Sequence, residues 1–79
     1  MTFIEQMQRL ERLDYLIRSR ATGTPSELAK KLGLSQSQMF QIMKAIKEKM
    51  EAPVCYSRAE QSYYYGEDVR FVWGFYSEN

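Results

Sequence analysis

The chain has 79 residues, of which 44% are hydrophobic and 27% charged, and its formal net charge is +1. These values are typical of one small globular domain and unlike those of disordered segments. The chain contains no histidine and a single cysteine, which removes most ways of building a zinc site of about four ligands or a nucleophile paired with a base. We therefore expect no metal, no cofactor and no enzymatic activity.

Further expectations follow from individual residues and from the lengths of the apolar runs. Cys55 lies between Val54 and Tyr56 and is expected to be a small buried hydrophobe. Glu67 and Asp68 are adjacent on a predicted turn, so they cannot flank a substrate as a carboxylate pair would.

Charges interrupt every apolar run well below the ~20 residues that cross a membrane, and no signal-peptide core is present. We expect a cytoplasmic protein that has no membrane partner.

Charge is distributed unevenly along the chain. Residues 1–20 hold four basic and three acidic side chains, residues 21–50 hold five and two, and residues 51–79 hold two and five. The middle third is therefore the basic one. What matters for a charged partner is the face that docks rather than the net charge of the chain.

The first segment has the periodicity of an amphipathic helix over about residues 3–19. Its apolar stripe consists of Phe3, Met7, Leu10, Leu13 and Ile17. Asp14 falls on this stripe, so it must lie at the wet edge or find a partner. The helical pattern stops before Gly23.

Two further helices are predicted by their capping residues, over about residues 25–32 and 36–50. Thr24 and Glu27 form one capping box, with proline at the first helical position, and Ser35 and Gln38 form another. Gly33 ends the shorter helix. On the longer helix one face is expected to be buried, made by Met39, Ile42, Met43, Ile46 and Met50. The opposite face carries Ser37, Gln41, Lys44 and Glu48.

After Ala52-Pro53 the pattern alternates, which predicts strands over about residues 53–58, 62–66 and 69–76. Tyr64 faces away from Tyr63 and Tyr65, so packing of the sheet on the helices is favoured over a base-stacking platform. The third predicted strand has large apolar groups on both faces. Three helices cover only one face of a sheet, so we expect a homodimer whose interface contains Phe71, Trp73 and Phe75.

Two stretches carry a resemblance to a known family, GTPSELAKKLGLSQSQMFQIMKAIKE and APVCYSRAEQSYYYGED. They resemble the winged helix-turn-helix domains of bacterial transcription regulators, of the biotin-repressor-like and DeoR-like type, and the small stand-alone helix-turn-helix proteins of Bacteroidetes. The resemblance covers about Leu10 to Asp68. It implies an α+β fold in a single domain over residues 1–79, with three helices followed by a two- to three-stranded antiparallel sheet.

In such families the second helix of the pair enters the major groove, and the hairpin tip touches the neighbouring backbone or the minor groove. The resemblance and the helix-start chemistry together give these expected DNA-binding residues: Ser35, Gln36, Ser37, Gln38, Gln41, Lys44, Lys47 and Arg58. Glutamine can read adenine, the lysines can neutralise phosphate, and the helix start can hold backbone amides ready for a phosphate. Double-stranded DNA is the expected partner, a transcriptional regulator the expected function, and no small-molecule ligand is evident.

An alternative stays open because Gln36 and Ser37 stand where the family commonly has arginines. The same scaffold could serve as a protein-interaction or dimerisation module with weak or no DNA binding. The glutamines would then form an ordinary solvated face, and the lysines would serve solubility. Phe40 also has two interpretations: it caps the edge of the core, or it packs against a sugar or a thymine methyl group.

Overall fold

The computed structural model describes residues 2–75 and 77. It contains three α-helices, followed by two antiparallel strands. The elements are α1 (Phe3–Arg18), α2 (Pro25–Leu32), α3 (Gln36–Glu48), β1 (Val54–Ser57) and β2 (Ser62–Tyr65). The predicted α+β class is confirmed, and the bounds of the helices and of the first two strands lie within about two residues of the predicted ones.

Side-chain caps begin each helix, as the sequence predicts for α2 and α3. Thr24 Oγ1 accepts from the Glu27 backbone N–H at 3.3 Å while the Glu27 carboxylate accepts from the Thr24 N–H at 2.9 Å. At α1, Thr2 Oγ1 accepts from the backbone of Glu5 at 3.1 Å. Gly33 ends α2 in the left-handed conformation, with φ of 68°. These caps satisfy backbone groups that a helix end leaves unpaired.

The core lies where all three helices meet the inner face of the hairpin. Its buried side chains are Leu13, Ile17, Leu28, Ala29, Leu32, Met39, Met43, Ile46, Val54 and Tyr63. The rings of Tyr56 and Tyr63 pack edge to face, with centroids 4.9 Å apart. Tyr63 therefore packs the sheet onto the helices, as predicted.

The predicted apolar stripes of α1 and α3 each extend beyond the part of the helix that is buried. Met50 was expected in the core but is 49% exposed, because α3 ends at Glu48 and Met50 therefore lies outside the helix. Phe3 is 70% exposed, since the buried residues of α1 all come from its second half. Ile42 is half-buried at the edge of the core.

Asp14, the polar residue on the apolar stripe of α1, accepts hydrogen bonds from three donors. It is buried, with 3% exposure. Its Oδ1 accepts from the Tyr65 hydroxyl and from the Phe71 backbone N–H, each at 2.8 Å, and its Oδ2 accepts from Arg18 Nε at 2.9 Å. One carboxylate thus ties α1 to β2 and to the residues that follow the hairpin.

The third strand predicted for residues 69–76 is wrong over the described residues 69–75, which pair with no strand. The Phe71 N–H donates to a side chain instead of to a strand, and Gly74 has a φ of 123° that extended strands do not adopt. Tyr76, the last residue of the predicted strand, lies outside the described residues. We call residues 69–75 the post-hairpin segment.

Cys55 is exposed, which overturns the expectation that it is buried. Strand alternation explains the error, because Val54 points inward on β1 and its neighbour Cys55 must then point outward. Cys55 lies opposite Tyr64 in the register of the hairpin.

The loop between α1 and α2 is fastened to β2 by two buried hydroxyls. Thr22 Oγ1 accepts from the Tyr63 backbone N–H at 2.8 Å, and Ser62 Oγ accepts from the Thr22 N–H at 3.2 Å. The two hydroxyl oxygens lie 3.0 Å apart. Thr22 therefore forms hydrogen bonds with β2 through both its side chain and its backbone, and these bonds hold the hairpin against the helices.

Two glycines with positive φ are expected to differ in how they tolerate alanine. At Gly33 a new Cβ meets nothing within 4 Å, so Gly33→Ala should cost only the left-handed backbone, about 1–2 kcal/mol. At Gly23 a Cβ would come within 2.9 Å of the Glu27 side chain and disturb a cap worth about 1 kcal/mol more. Urea denaturation measures both, and an equal loss for the two variants would contradict the crowding at Gly23.

Candidate nucleic-acid interface

The outward face of α3 carries four polar side chains along one strip: Ser37, Gln41, Lys44 and Glu48. All four are exposed, whereas Met39, Met43 and Ile46 on the opposite side are buried. The hairpin does not cover this strip. We call these four residues the α3 strip.

The start of α3 is organised by its own capping box. Ser35 Oγ accepts from the Gln38 backbone N–H at 3.1 Å, and Gln38 Oε1 accepts from the Ser35 N–H at 3.0 Å. The oxygens of both side chains are thereby engaged in the cap. The turn can still offer a ligand the Ser35 hydroxyl proton, the Gln38 amide NH₂ and the exposed side chains of Gln36 and Ser37. The backbone N–H groups of Gln36 and Ser37 are also available, because they belong to the unpaired first turn of a helix.

A shallow groove of about 280 Å³ runs between α3 and β2. Its lining residues are Phe40, Met43, Lys44, Lys47, Glu48 and Tyr63. Phe40 is 47% exposed, so its ring borders the core and is also accessible from outside. The groove therefore places an accessible aromatic ring beside two lysines.

The charges on this side of α3 are mixed. Lys44 Nζ lies 3.9 Å from the Glu48 carboxylate, with the two side chains 77% and 60% exposed. Such an exposed pair on one helix contributes only about 0.3–0.5 kcal/mol, so Lys44 can exchange Glu48 for another anion. Lys47 forms no ion pair with another residue of the described chain.

The hairpin tip is braced from the end of α1. Arg20 pairs with the Glu60 carboxylate and stacks its guanidinium over the Tyr64 ring, 4.6 Å from the centroid. Glu60 is further held by its backbone N–H, which donates to Ser57 Oγ at 3.2 Å. Arg58 is exposed at the same tip and pairs with no acidic group in residues 2–75.

Sequence reasoning missed this brace. Arg20 and Glu60 are 40 residues apart, and no periodic pattern connects them. The one available signal was composition, since a basic residue just after α1 and an acidic residue in the turn are natural partners once the hairpin folds back. Arg20 also has a φ of 53°, a conformation that side chains seldom adopt and that sequence does not reveal.

The three residues expected at a dimer interface lie in different environments. Phe71 is half-buried, and its backbone is fixed by Asp14. Trp73 is half-buried and its indole Nε1 is enclosed with no hydrogen-bond partner among the described residues. Phe75 is fully exposed, and nearby Val72 is 51% exposed.

A pocket of about 340 Å³ lies under the post-hairpin segment. Its apolar walls come from α1, the end of α3 and the segment itself, through Leu10, Leu13, Ile46, Met50, Phe71 and Val72. Sequence reasoning did not predict it, because an alternating strand pattern over residues 69–76 implies a flat sheet rather than a crossing segment.

Among the residues that the structure describes, no helix is long and apolar enough to cross a membrane. Comparison of the chain with protein-family models, with curated proteins and with solved structures finds no significant match in any of the three.

Proposed function

We propose that this chain is a winged-helix DNA-binding protein that acts as a transcriptional regulator, with α3 in the major groove and the hairpin as the wing. The observation that supports this most is the exposed α3 strip, of which Lys44 and Glu48 line a groove together with Tyr63 of the hairpin. The tip of that hairpin is braced by Arg20 and carries an exposed arginine, Arg58. An α-helix fits the major groove, which is about 12 Å wide.

The polar groups of α3 suit different parts of a duplex. Gln41 lies in the middle of the α3 strip, where a bidentate contact to adenine would contribute about 1–3 kcal/mol of base discrimination. The first-turn amides of α3 can accept a phosphate. Lys44 and Lys47 then take phosphates along the groove edge, and Arg58 takes one beside the wing.

The proposal predicts a definite salt dependence. If Lys44, Lys47 and Arg58 each neutralise one phosphate, affinity for random duplex DNA falls about 40-fold between 50 and 200 mM salt. Lys44→Ala or Lys47→Ala removes one contact, so the fall should shrink to about 12-fold. Fluorescence anisotropy of a labelled duplex at the two salt concentrations measures both quantities.

Arg12→Ala is the matched control, since Arg12 is an exposed cation on α1. It should leave the salt dependence of the wild type nearly unchanged. Salt-insensitive binding, or equal effects of the Arg12 and Lys44 variants, would refute the groove model. Gln41→Ala should preserve random-duplex affinity and reduce discrimination between selected sequences.

A protein-interaction module is the second candidate. Exposed Val72 and Phe75 favour it, because apolar groups clustered on a surface commonly mark association sites. Absence of DNA binding together with retained self-association would support this function over the first.

A further inference from the structure

We propose that two copies of this chain associate reciprocally, with Phe75 of each copy filling the apolar pocket of the other. The inference does not depend on DNA binding. It starts from a mismatch in the monomer, in which an apolar pocket is open to solvent and a phenylalanine three residues from its rim is fully exposed.

The pocket has the size and chemistry to receive an aromatic ring. Its volume is about 340 Å³, and an apolar cavity of about 150 Å³ already binds benzene. Met50 and Val72 line it and are 49% and 51% exposed, so an entering ring would also cover their side chains. Burial of this surface is the driving force for association.

Phe75 does not fill the pocket of its own chain, although it is close in sequence. Val72 lines the pocket, and the chain then turns at Gly74, whose φ is 123°. This turn leaves the Phe75 side chain entirely outside. The ring is thus free to contact a surface outside the monomer.

Symmetry makes a second copy the natural occupant. A twofold interface uses the same patch on both subunits, so that patch must be complementary to itself. Here the exposed ring of Phe75 comes three residues after Val72 of the pocket wall, so the chain keeps ring and pocket within about 10 Å of each other, and two copies can exchange rings. Such an exchange closes as a dimer, whereas a ring that bound a distant surface would build an open chain of subunits.

Charges at the pocket rim match this arrangement. Glu51 and Arg70 both line the pocket, and both are exposed. Neither forms an ion pair with another described residue. A twofold axis through the patch can place Glu51 of one copy beside Arg70 of the other, which sets the orientation of the two subunits.

The first test is the oligomeric state. Sedimentation equilibrium should show a concentration-dependent dimer for the wild type, and Phe75→Ala should weaken association at least tenfold while circular dichroism stays unchanged. Phe40→Ala is the control, because Phe40 is also about half exposed but lies on α3 away from the pocket. A wild type that stays monomeric at high concentration, or equal weakening by the two substitutions, would overturn the proposal.

The second test identifies the occupant by disulfide trapping. In a Cys55→Ser background, Met50→Cys and Phe75→Cys proteins are mixed and oxidised under mild conditions. Reciprocal docking predicts mainly mixed 50–75 disulfides between the two variants. A predominance of Phe75→Cys homodimers would refute this geometry.

The same pair of cysteines in one chain tests the intramolecular alternative. Because both Phe75 rings are then absent, the protein is oxidised at a concentration at which Phe75→Ala still associates, and it should again form crosslinked dimers. A monomer with an internal disulfide would show that Phe75 reaches its own pocket, which would also overturn the proposal.

Discussion

Replacement of Asp14 by alanine is expected to lower the free energy of unfolding by about 2–4 kcal/mol. The carboxylate is buried and accepts from the Tyr65 hydroxyl, the Phe71 backbone and Arg18. Alanine leaves the first two donors without a partner, at about 1–3 kcal/mol for each fully buried group. Arg18 is 38% exposed and can turn to water, so it contributes little to the loss.

The Tyr65 hydroxyl is a donor in this network at every ordinary pH. Burial raises the pKa of Tyr65, and the hydrogen bond to the Asp14 carboxylate raises it further. The phenol therefore keeps its proton and remains the donor to Asp14.

Urea denaturation of Asp14→Ala and Asp14→Asn tests the network. Asparagine retains one oxygen for Tyr65 and Phe71, whereas its amide NH₂ takes the place of Oδ2 and cannot accept from Arg18. Because Arg18 is 38% exposed and can turn to water, the loss should be near ~1 kcal/mol. Equal losses for the two variants would show that the charge, rather than the two acceptor bonds, is what stabilises this corner.

Asp14→Ala should also affect the proposed dimer. Phe71 lines the pocket, and its backbone bond to Asp14 holds the post-hairpin segment in place. Without that bond the wall of the pocket loses its anchor. We expect Asp14→Ala to weaken self-association even at temperatures where the protein remains folded.

The helices were predictable because their signals are local. Thr24 with Glu27 and Ser35 with Gln38 form the capping boxes that the sequence indicates. Periodicity also predicted which side of α3 is buried and which is exposed. These features depend on residues three or four positions apart, a range over which the sequence specifies geometry directly.

The absence of a third strand over residues 69–75 could not be predicted from local signals of this kind. Alternation over residues 69–76 is that of a strand, but a strand also needs a free edge. On β2 the Tyr63 N–H is already bonded to Thr22, and Phe71 donates its own N–H to Asp14. Both contacts join residues more than 40 positions apart. Only the folded chain reveals that side chains accept hydrogen bonds from the backbone N–H groups that a third strand would have used.

In the candidate site, too, some features follow from local sequence and others only from tertiary contacts. The α3 strip follows from helical spacing, and the exposed Arg58 follows from its position near the hairpin tip. The brace of Arg20 on Glu60 and Tyr64 and the pocket under the post-hairpin segment arise from tertiary placement. No sequence motif marks them.

Leu28→Ala should be the most destabilising of the large-to-small substitutions in α2, at about 3–5 kcal/mol. Leu28 has no exposed surface and belongs to the central core cluster. Removing its side chain loses transfer free energy and leaves a cavity that the neighbouring helices cannot fully close. At about 0.05–0.15 kcal/mol per residue, a domain of 79 residues has a stability of about 4–12 kcal/mol, so this loss is a large fraction of the total.

Leu34→Ala is the matched comparison, because Leu34 lies in the turn between α2 and α3 and is only half-buried. Its loss should be about 1–2 kcal/mol, in proportion to the smaller area removed from water. Thermal and urea unfolding followed by circular dichroism give both values. Equal losses would mean that the turn contributes as much packing as the buried face of α2 and would contradict the central place of Leu28 in the core.

The two kinds of variant should also separate folding from recognition. Leu28→Ala changes no group of the α3 strip, so its DNA affinity should fall only as the folded fraction falls. Lys44→Ala should lose affinity while it remains fully folded, because Lys44 is 77% exposed and holds only the weak pair with Glu48. If the apparent affinity of Leu28→Ala, corrected for its folded fraction, dropped as far as that of Lys44→Ala, the α3 strip could not be the source of DNA binding.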